Sequence, residues 1–219
     1  MMGSLAPGVV GILLAAGRGE RFGGDKLRTM IRSDAKPRAD AQADGRSPGS
    51  AREFVGVMAC RQLLLALPRV VAVVRPDDAA LAVALGAAGA RIVRCANADA
   101  GMGASLACGV QATRDAAGWV VALGDMPWIE TSTIARVAAA IAEGATVAAP
   151  FYRGQRGHPV GFGTACLAAL TALTGDEGAK SVVASHRDSL ARIDVDDPGT
   201  LADVDRPADL EKQGQPRRS

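Results

Sequence analysis

The sequence has 219 residues and a net charge of +2, and 48% of its residues are apolar while only 3% are aromatic. This length suits one α/β domain whose core is built from small aliphatic side chains. The near-neutral charge, the lack of a long Lys/Arg run and the scarcity of aromatic residues exclude nucleic acid as the main partner.

Strand and helix patterns alternate along the chain. Strands are predicted at 9–14, 70–74, 91–95, 119–123, 146–150, 160–162 and 190–195. Helices are predicted at 57–67, from Asp77 or Asp78 to Gly86 or Gly89, from the turn after 91–95 to about Thr113, and at 131–142, 164–173, 178–185 and 207–212. Pro68 stops the first of these helices, and Thr131 or Ser132 caps the helix at 131–142. This alternation predicts a single domain with a Rossmann-like, mostly parallel sheet flanked by helices.

Two segments lack this pattern. Residues 33–50 are rich in Asp, Ala, Arg, Gly, Pro and Ser without apolar periodicity, which predicts an exposed, flexible insertion within a domain spanning 1–213. Residues 214–219 are polar and predict a disordered tail.

A loop rich in glycine and basic residues follows the first strand; it contains Gly17, Arg18, Gly19, Arg21, Gly23, Gly24 and Lys26. Backbone N–H groups in such a loop form a concave anion site, so the loop predicts binding of a nucleoside triphosphate. The alternative is a strand-to-helix connection without a ligand. The P-loop string is absent from the sequence, and Phe22 fills the third glycine position of the dinucleotide fingerprint.

Asp125 comes directly after a buried strand, in the string Gly124-Asp125-Met126-Pro127. Ligands of open parallel sheets bind at the carboxyl ends of the strands. A carboxylate at that place predicts a ligand for Mg²⁺, which prefers oxygen donors and keeps phosphate oxygens in its shell. A plain turn aspartate is the alternative.

Two further polar segments are candidates for ligand contact. Gly101 and Gly103 allow a tight turn before a helix, with Ser105 near the helix start; this segment either contacts a ligand or caps the helix. His158 precedes a proline in a connection rich in Gly and Arg, where a turn residue with a satisfied hydrogen bond is the alternative to a binding residue.

Five strings together resemble the MobA-like nucleotidyltransferases, most closely the molybdenum cofactor cytidylyltransferases. They are Leu-Ala-Ala-Gly-x-Gly-x-Arg-Phe-Gly-Gly-x-Lys at 14–26, Asn-x-x-x-Gly-Met-x-x-Ser-Leu at 97–106, Gly-Asp-Met-Pro at 124–127, Gly-His-Pro at 157–159 and Asp-x-Asp-x-Pro at 203–207. The resemblance implies a nucleotide-diphospho-sugar transferase-like fold. The chain departs from the family after Lys26, where a short hairpin containing Gly-x-Pro is usual.

The resemblance also implies residue roles. Nucleotide binding would fall to Leu14, Ala15, Ala16, Gly17, Gly19, Arg21, Lys26, Asn97, Gly101 and Ser105, and catalysis to Lys26, Arg21 and Asp125. Asp125 would hold the metal together with Asp205, which we favour over Asp203. His158 and Arg156 would bind the acceptor, with Arg153 as a further phosphate contact. The acidic string near the end of the chain contains Asp194, Asp196, Asp197, Asp203 and Asp205, and most of these are expected to be solvated turn or cap carboxylates.

The implied reaction is Mg²⁺-dependent transfer of CMP from CTP to the terminal phosphate of Mo-molybdopterin, with release of pyrophosphate. CTP is implied because Leu-Ala-Ala-Gly is typical of the cytidylyl branch. The recipient molybdoenzyme or its chaperone is a further implied partner. A guanylyl- or sugar-phosphate nucleotidyltransferase, an NAD(P)H-dependent oxidoreductase of the same fold and a catalytically idle cofactor chaperone are the alternatives.

Four scattered cysteines predict buried thiols in a reducing cytosol. The apolar run at 9–16 has no basic residue before it and leads directly into the glycine loop, so we interpret it as a strand and not as an export signal. The sequence predicts no membrane segment, and we expect a cytoplasmic protein.

Overall fold

An eight-stranded sheet forms the centre of the protein in a computed structural model that describes residues 8–19, 22, 24–32 and 52–212. Its strands are β1 (Val9–Leu14), β4 (Val70–Val74), β5 (Arg91–Arg94), β6 (Gly118–Leu123), β7 (Val147–Tyr152), β8 (Gln155–Arg156), β9 (Val160–Gly163) and β10 (Ala191–Asp194). A separate antiparallel pair consists of β2 (Met30–Arg32) and β3 (Arg52–Phe54).

The strand order is β10-β7-β9-β6-β1-β4-β5, with β8 paired to β7. β1 runs parallel to β4 and β6, β4 parallel to β5, and β10 parallel to β7. β9 is antiparallel to both β6 and β7, and β8 is antiparallel to β7. The predicted single α/β domain with a mostly parallel sheet is thus confirmed. Because β1, β4, β5 and β6 are parallel, their carboxyl ends meet at one edge.

Seven helices accompany the sheet in the described part of the chain: α1 (Val55–Ala66), α2 (Ala79–Ala88), α3 (Met102–Gln111), α4 (Thr131–Ala142), α5 (Leu167–Thr171), α6 (Lys180–Ser185) and α7 (Pro207–Lys212). Alternate residues of β1 face two separate apolar cores, since Leu13 packs with α1, α2 and α4 and Ile12 packs with α3, α5 and α6. No helix among the described residues is both long and apolar enough to cross a membrane.

The predicted capping residue and helix-ending glycine are confirmed at α2, but the predicted cap at α4 is wrong. The side chain of Asp78 accepts a hydrogen bond from the Leu81 N–H at the start of α2, and Gly89 ends that helix. Glu130, and not Thr131 or Ser132, is the residue that precedes α4. The side chain that accepts hydrogen bonds there is distant in sequence: Asp197 Oδ2 accepts from Glu130 N–H at 2.9 Å and from Thr133 Oγ1 at 2.8 Å.

The β2–β3 pair was not predicted from the sequence. It pairs Met30 with Phe54 and Arg32 with Arg52, on either side of the predicted insertion. A hairpin therefore does follow Lys26, although its connection is much longer than the family's usual one. The predicted insertion at 33–50 and the predicted tail at 214–219 lie outside the described residues.

Candidate functional site

A cavity of about 580 Å³ opens at the carboxyl ends of β1 and β6. This is the edge of a parallel sheet at which ligands usually bind. The predicted site residues that line it are Leu14, Ala16, Gly17, Gly19, Lys26, Gly101, Ser105, Asp125 and Asp205. Loops that follow three different strands therefore contribute to one cavity, together with Asp205 from near the end of the described chain.

Other predicted residues lie outside the cavity lining. Ala15 is buried, and its N–H donates to the Val73 carbonyl at 2.9 Å. Asn97 is exposed, and its Oδ1 accepts a hydrogen bond from the Cys95 thiol at 3.1 Å. Its neighbours Ala98 and Asp99 do line the cavity. Arg21 lies outside the described residues.

Lys26 joins the glycine loop to two carboxylates. It begins a single turn of 3₁₀ helix, Lys26–Arg28. Its Nζ donates to Asp125 Oδ2 at 2.7 Å and to Asp205 Oδ1 at 3.3 Å. Burial alone would lower the pKa of Lys26, but the hydrogen bonds and negative charges of Asp125 and Asp205 raise it above its usual value. Lys26 is therefore a cation at neutral pH.

Gly124 sets the position of Asp125. Its N–H donates to the Leu14 carbonyl at 2.9 Å, which ties the end of β6 to the end of β1. A Cβ atom at Gly124 would lie 3.1 Å from that same carbonyl oxygen and 3.3 Å from the Leu27 methyl groups. A side chain at this position would therefore require the Leu14 carbonyl or the Leu27 side chain to shift by a few tenths of an ångström.

Asp125 Oδ1 is buried and has no hydrogen-bond partner among the described residues. Buried polar atoms in proteins are almost always paired, so this unpaired oxygen of a cavity-lining residue is a candidate contact for a ligand. A hard divalent cation or a hydrogen-bond donor of a substrate fits this oxygen.

Asp205 reaches the site through the segment that carries Asp203 and Val204. Val204 is fully buried, and its N–H donates to the Asp125 carbonyl at 2.9 Å. The Asp205 carboxylate forms a salt bridge with Lys26, whereas Asp203 forms none with Lys26 and feels only its charge. Burial and the negative charges of Asp205 and Asp125 raise the pKa of Asp203. Asp205 lines the cavity and Asp203 does not, and the assignment of Asp205 as the second metal ligand stays a prediction.

The carboxylates fit a cation that is shared with a substrate better than one held by protein alone. No group of three or more His, Cys, Asp or Glu side chains within the described ranges could hold a metal ion. Mg²⁺ is commonly bound by one or two carboxylates and completes its shell with phosphate oxygens and waters. Asp125, with its orphaned oxygen, and Asp205 provide this smaller ligand set.

Arg18 and Asp99 connect two loops of the cavity wall. Arg18 Nη2 lies 2.7 Å from both carboxylate oxygens of Asp99, and Arg18 Nε lies 2.9 Å from Oδ1. Arg18 belongs to the loop after β1 and Asp99 to the turn after β5. Both side chains are more than half exposed, so water screens their attraction.

The turn at Gly101 packs tightly against a second loop, residues 174–178. Gly101 has φ = +112°, a conformation that favours glycine, and the Gly103 N–H donates to the Gly175 carbonyl at 2.7 Å. A methyl group at Gly101 would overlap both the Asp176 carboxylate and the Gly175 carbonyl. Asp176 itself lines the cavity.

Neither His158 nor Arg156 lines the cavity, and Arg156 is exposed on β8. The His158 N–H donates to the Thr200 carbonyl at 2.9 Å, and its Nδ1 is buried without a hydrogen-bond partner in the described chain. Burial and the positive charge of Arg156 lower the pKa of His158 to about 4, against an opposing contribution from Asp125. His158 is therefore neutral at neutral pH and close enough to Asp125 to sense its charge.

Two acidic residues of the cavity lining, Asp99 and Asp176, were not among the predicted site residues. Asp99 lies inside the predicted turn at 97–106, so the signal was present and only its importance was missed. Asp176 lies between two glycines in Gly175-Asp176-Glu177-Gly178, a pattern that indicates a turn but not what the turn contacts.

The family model of the MobA-like NTP transferase domain matches residues 11–190. The chain belongs to this family. It is accordingly a nucleotidyltransferase, and the matched residues include the glycine loop, Asp125 and His158. No curated protein matches the sequence significantly.

Solved structures share the fold of this MobA-like protein over nearly their whole length. Rv0371c from Mycobacterium tuberculosis H37Rv is 24% identical with a TM-score of 0.72, covering 95% of this chain and 98% of its own. Rv0371c has also been solved in complex with manganese, at 22% identity and a TM-score of 0.67, covering 94% and 97%. The nucleotidyl transferase Mth528 from Methanothermobacter is 21% identical with a TM-score of 0.72, covering 94% and 95%. Molybdopterin-guanine dinucleotide biosynthesis protein A from Archaeoglobus fulgidus is 15% identical with a TM-score of 0.62, covering 93% and 96%.

Proposed function

We propose that this protein is a cytidylyltransferase that transfers CMP from CTP to the terminal phosphate of Mo-molybdopterin and releases pyrophosphate. The observation that carries the proposal is that Lys26, Asp125 and Asp205 contact one another in a cavity that the glycine-rich loop also lines. A lysine and a carboxylate pair beside an anion-binding loop suit the transfer of a phosphoryl group. Such a transfer depends on positioning and charge neutralisation more than on covalent catalysis.

The glycine loop would hold the triphosphate. Its backbone N–H groups, together with Lys26, would neutralise negative charge that develops on the phosphates as pyrophosphate leaves. Lys26 is cationic in the site and lies within reach of the loop because it follows it directly. Arg21, which lies outside the described residues, would add a second cation by resemblance to the family.

Asp125 and Asp205 would hold a divalent cation, which we take to be Mg²⁺. The fit rests on the buried, unpartnered Oδ1 of Asp125 and on the two-carboxylate ligand set. When bound, the ion would neutralise charge on the α-phosphate and orient it toward the acceptor. The reported manganese complex of Rv0371c supports a divalent metal in a protein of this fold.

We place the acceptor near His158, which feels the charge of Asp125. A neutral His158 can donate or accept a hydrogen bond without adding charge, and the exposed Arg156 can contact a phosphate.

The four cysteines are free, as expected of a protein in the reducing cytoplasm, where we place it. Mo-molybdopterin and the choice of CTP rest on the resemblance alone.

Pyrophosphate release from each of the four nucleoside triphosphates tests this proposal, with Mg²⁺ and Mo-molybdopterin each present or omitted. We expect release with CTP that requires both the metal and the acceptor and that Asp125→Ala abolishes. Release with GTP instead would leave the reaction type standing but make this a guanylyltransferase. If no nucleotide gives release under any condition and none binds, the triphosphate site is wrong.

A further inference from the structure

The carboxylate of Asp176 lies in the wall of the cavity but plays no part in the proposed mechanism. Its loop is fixed to the turn that opens α3: the Gly103 N–H donates to the Gly175 carbonyl, and a methyl group at Gly101 would overlap Asp176. Gly178 lies against the Met102 side chain in the same contact. Asp176 is therefore held at the Gly101–Met102 side of the cavity by backbone contacts.

The other carboxylates of the cavity each have a cation. Asp99 pairs with Arg18, while Asp125 and Asp205 share Lys26. Asp176, by contrast, is an exposed side chain of the cavity lining, and it makes no ion pair or hydrogen bond with any of the residues that the structure describes. A carboxylate accepts hydrogen bonds but cannot donate them when ionised, so a ligand group facing it must be a donor.

The phosphates of a nucleotide cannot face Asp176. They are anions, and a like charge without an intervening cation would repel them. We assign the triphosphate to Lys26 and the glycine loop, which follow β1, whereas Asp176 lies against the turn at Gly101 that opens α3. What remains of the ligand is the nucleoside, which offers the exocyclic amine of its base and the hydroxyl groups of its ribose as neutral donors.

We infer that Asp176 recognises the nucleoside by accepting a hydrogen bond from its exocyclic amine or a ribose hydroxyl, and so contributes to nucleotide selection. This inference rests on the proposed nucleotidyltransferase function. Its structural basis is a charged acceptor that the fold holds in the cavity wall without a partner from the described chain. An amine contact would favour CTP over UTP, which has a carbonyl oxygen at that place.

Equilibrium binding to the full chain with Mg²⁺ tests the inference. The ligands are CTP, UTP, dCTP, 3′-deoxy-CTP and inorganic tripolyphosphate, which has no nucleoside. Asp176→Ala should weaken CTP binding by about 10- to 100-fold, the usual worth of a hydrogen bond to a charged group, and should leave tripolyphosphate within about threefold of wild type. Glu177→Gln is the matched control, because Glu177 is an exposed carboxylate of the same loop outside the cavity lining.

The ligand panel identifies the donor. Loss of discrimination between CTP and UTP in Asp176→Ala would assign the amine, and loss of discrimination between CTP and either deoxy analogue would assign the hydroxyl. If Asp176→Ala binds CTP as tightly as wild type does, or binds CTP and tripolyphosphate equally more weakly, the inference is overturned. As long as the wild-type protein binds nucleotide, that result leaves the proposed function intact. Failure of the wild-type protein to bind any of the nucleotides would instead overturn the proposed function itself, and this inference with it.

Discussion

Lys26 Nζ lies 2.7 Å from Asp125 Oδ2, although the two residues are 99 positions apart in the chain. The pair links the loop after β1 to the end of β6, and both side chains are largely buried. In the absence of ligand, the ammonium group of Lys26 neutralises carboxylates that we assign to a metal. A divalent cation bound to Asp125 would therefore compete with Lys26 for the negative charge of this carboxylate.

Replacing Lys26 by Met should make this competition visible. We expect Lys26→Met to bind Mn²⁺ alone about tenfold more tightly than wild type, because displacing a close charge pair costs roughly 1.5 kcal/mol or more. Electron paramagnetic resonance of free Mn²⁺ measures the affinity without any turnover. Arg28→Met is the control, since Arg28 lies on the same helical turn but pairs with Asp25 and Asp78. Equal Mn²⁺ affinity in Lys26→Met and wild type would show that Lys26 does not occupy the cation's place.

Asn substitutions should separate the three carboxylates of the site. Asp125→Asn is expected to lower kcat roughly a thousandfold, because several kcal/mol of charge stabilisation are lost with the ligand. Asp205→Asn should also lower kcat and raise the Mg²⁺ concentration needed for half-maximal rate. Asp203→Asn, which removes a carboxylate that does not contact Lys26, should leave that Mg²⁺ requirement within about twofold of wild type, by the usual behaviour of surface changes. The opposite ranking of Asp203 and Asp205 would reassign the second ligand.

Asp197 should matter for stability and not for chemistry. It is 2% exposed, and its carboxylate accepts hydrogen bonds from Glu130 N–H, Thr133 Oγ1 and Gly199 N–H. Asp197→Ala should lower the free energy of unfolding by about 3 kcal/mol, because buried donors at the start of α4 lose their acceptor. Urea denaturation measures the change, with the exposed neighbour Asp196→Ala as a control expected to cost under about 0.5 kcal/mol. Similar losses for the two variants would mean that the cap contributes little.

The buried ring of His158 predicts a loss of stability in mild acid. Its pKa is lowered to about 4 in the folded protein, from 6.5, so the unfolded chain binds the proton more readily. Stability from this group is therefore fully present above pH 6.5 and falls as the pH drops toward 4. Between pH 7 and pH 5 the loss should be about 2 kcal/mol. His158→Gln should lack this component, and a wild-type curve parallel to that of His158→Gln would contradict a buried neutral ring.

The sequence predicted the sheet well because its strands are short apolar runs that are bounded by Gly, Pro and polar turn residues. Val9–Leu14 and Val70–Val74 have the predicted bounds, and the carboxyl-edge rule then places Asp125 at the cavity. The β2–β3 pair was missed because three-residue strands around a long polar segment carry almost no periodic signal.

Contacts between distant loops were harder to predict. The proximity of Lys26 to Asp205 followed only from the family resemblance, since nothing local links residues 179 positions apart. Asp197 belongs to an acidic string in which turn or cap carboxylates were expected, and it does cap the turn at Pro198–Leu201. Its burial was not predicted, because the donors at the start of α4 that make it favourable are distant in sequence. Asp176 was also missed because its position depends on residues distant in sequence. Its loop packs closely against Gly101 and Gly103, where a side chain would overlap it.

The most direct test of the account is the fate of the α-phosphorus of CTP. The protein would be incubated with Mg²⁺, Mo-molybdopterin and CTP labelled with ³²P at either the α or the γ position, and the label in the acceptor product would be counted. We predict that the α label enters the product and the γ label leaves as pyrophosphate, and that Asp125→Ala abolishes both. Transfer of the γ label to the acceptor, or no transfer of either label with bound CTP, would contradict attack at the α-phosphorus and with it the proposed function.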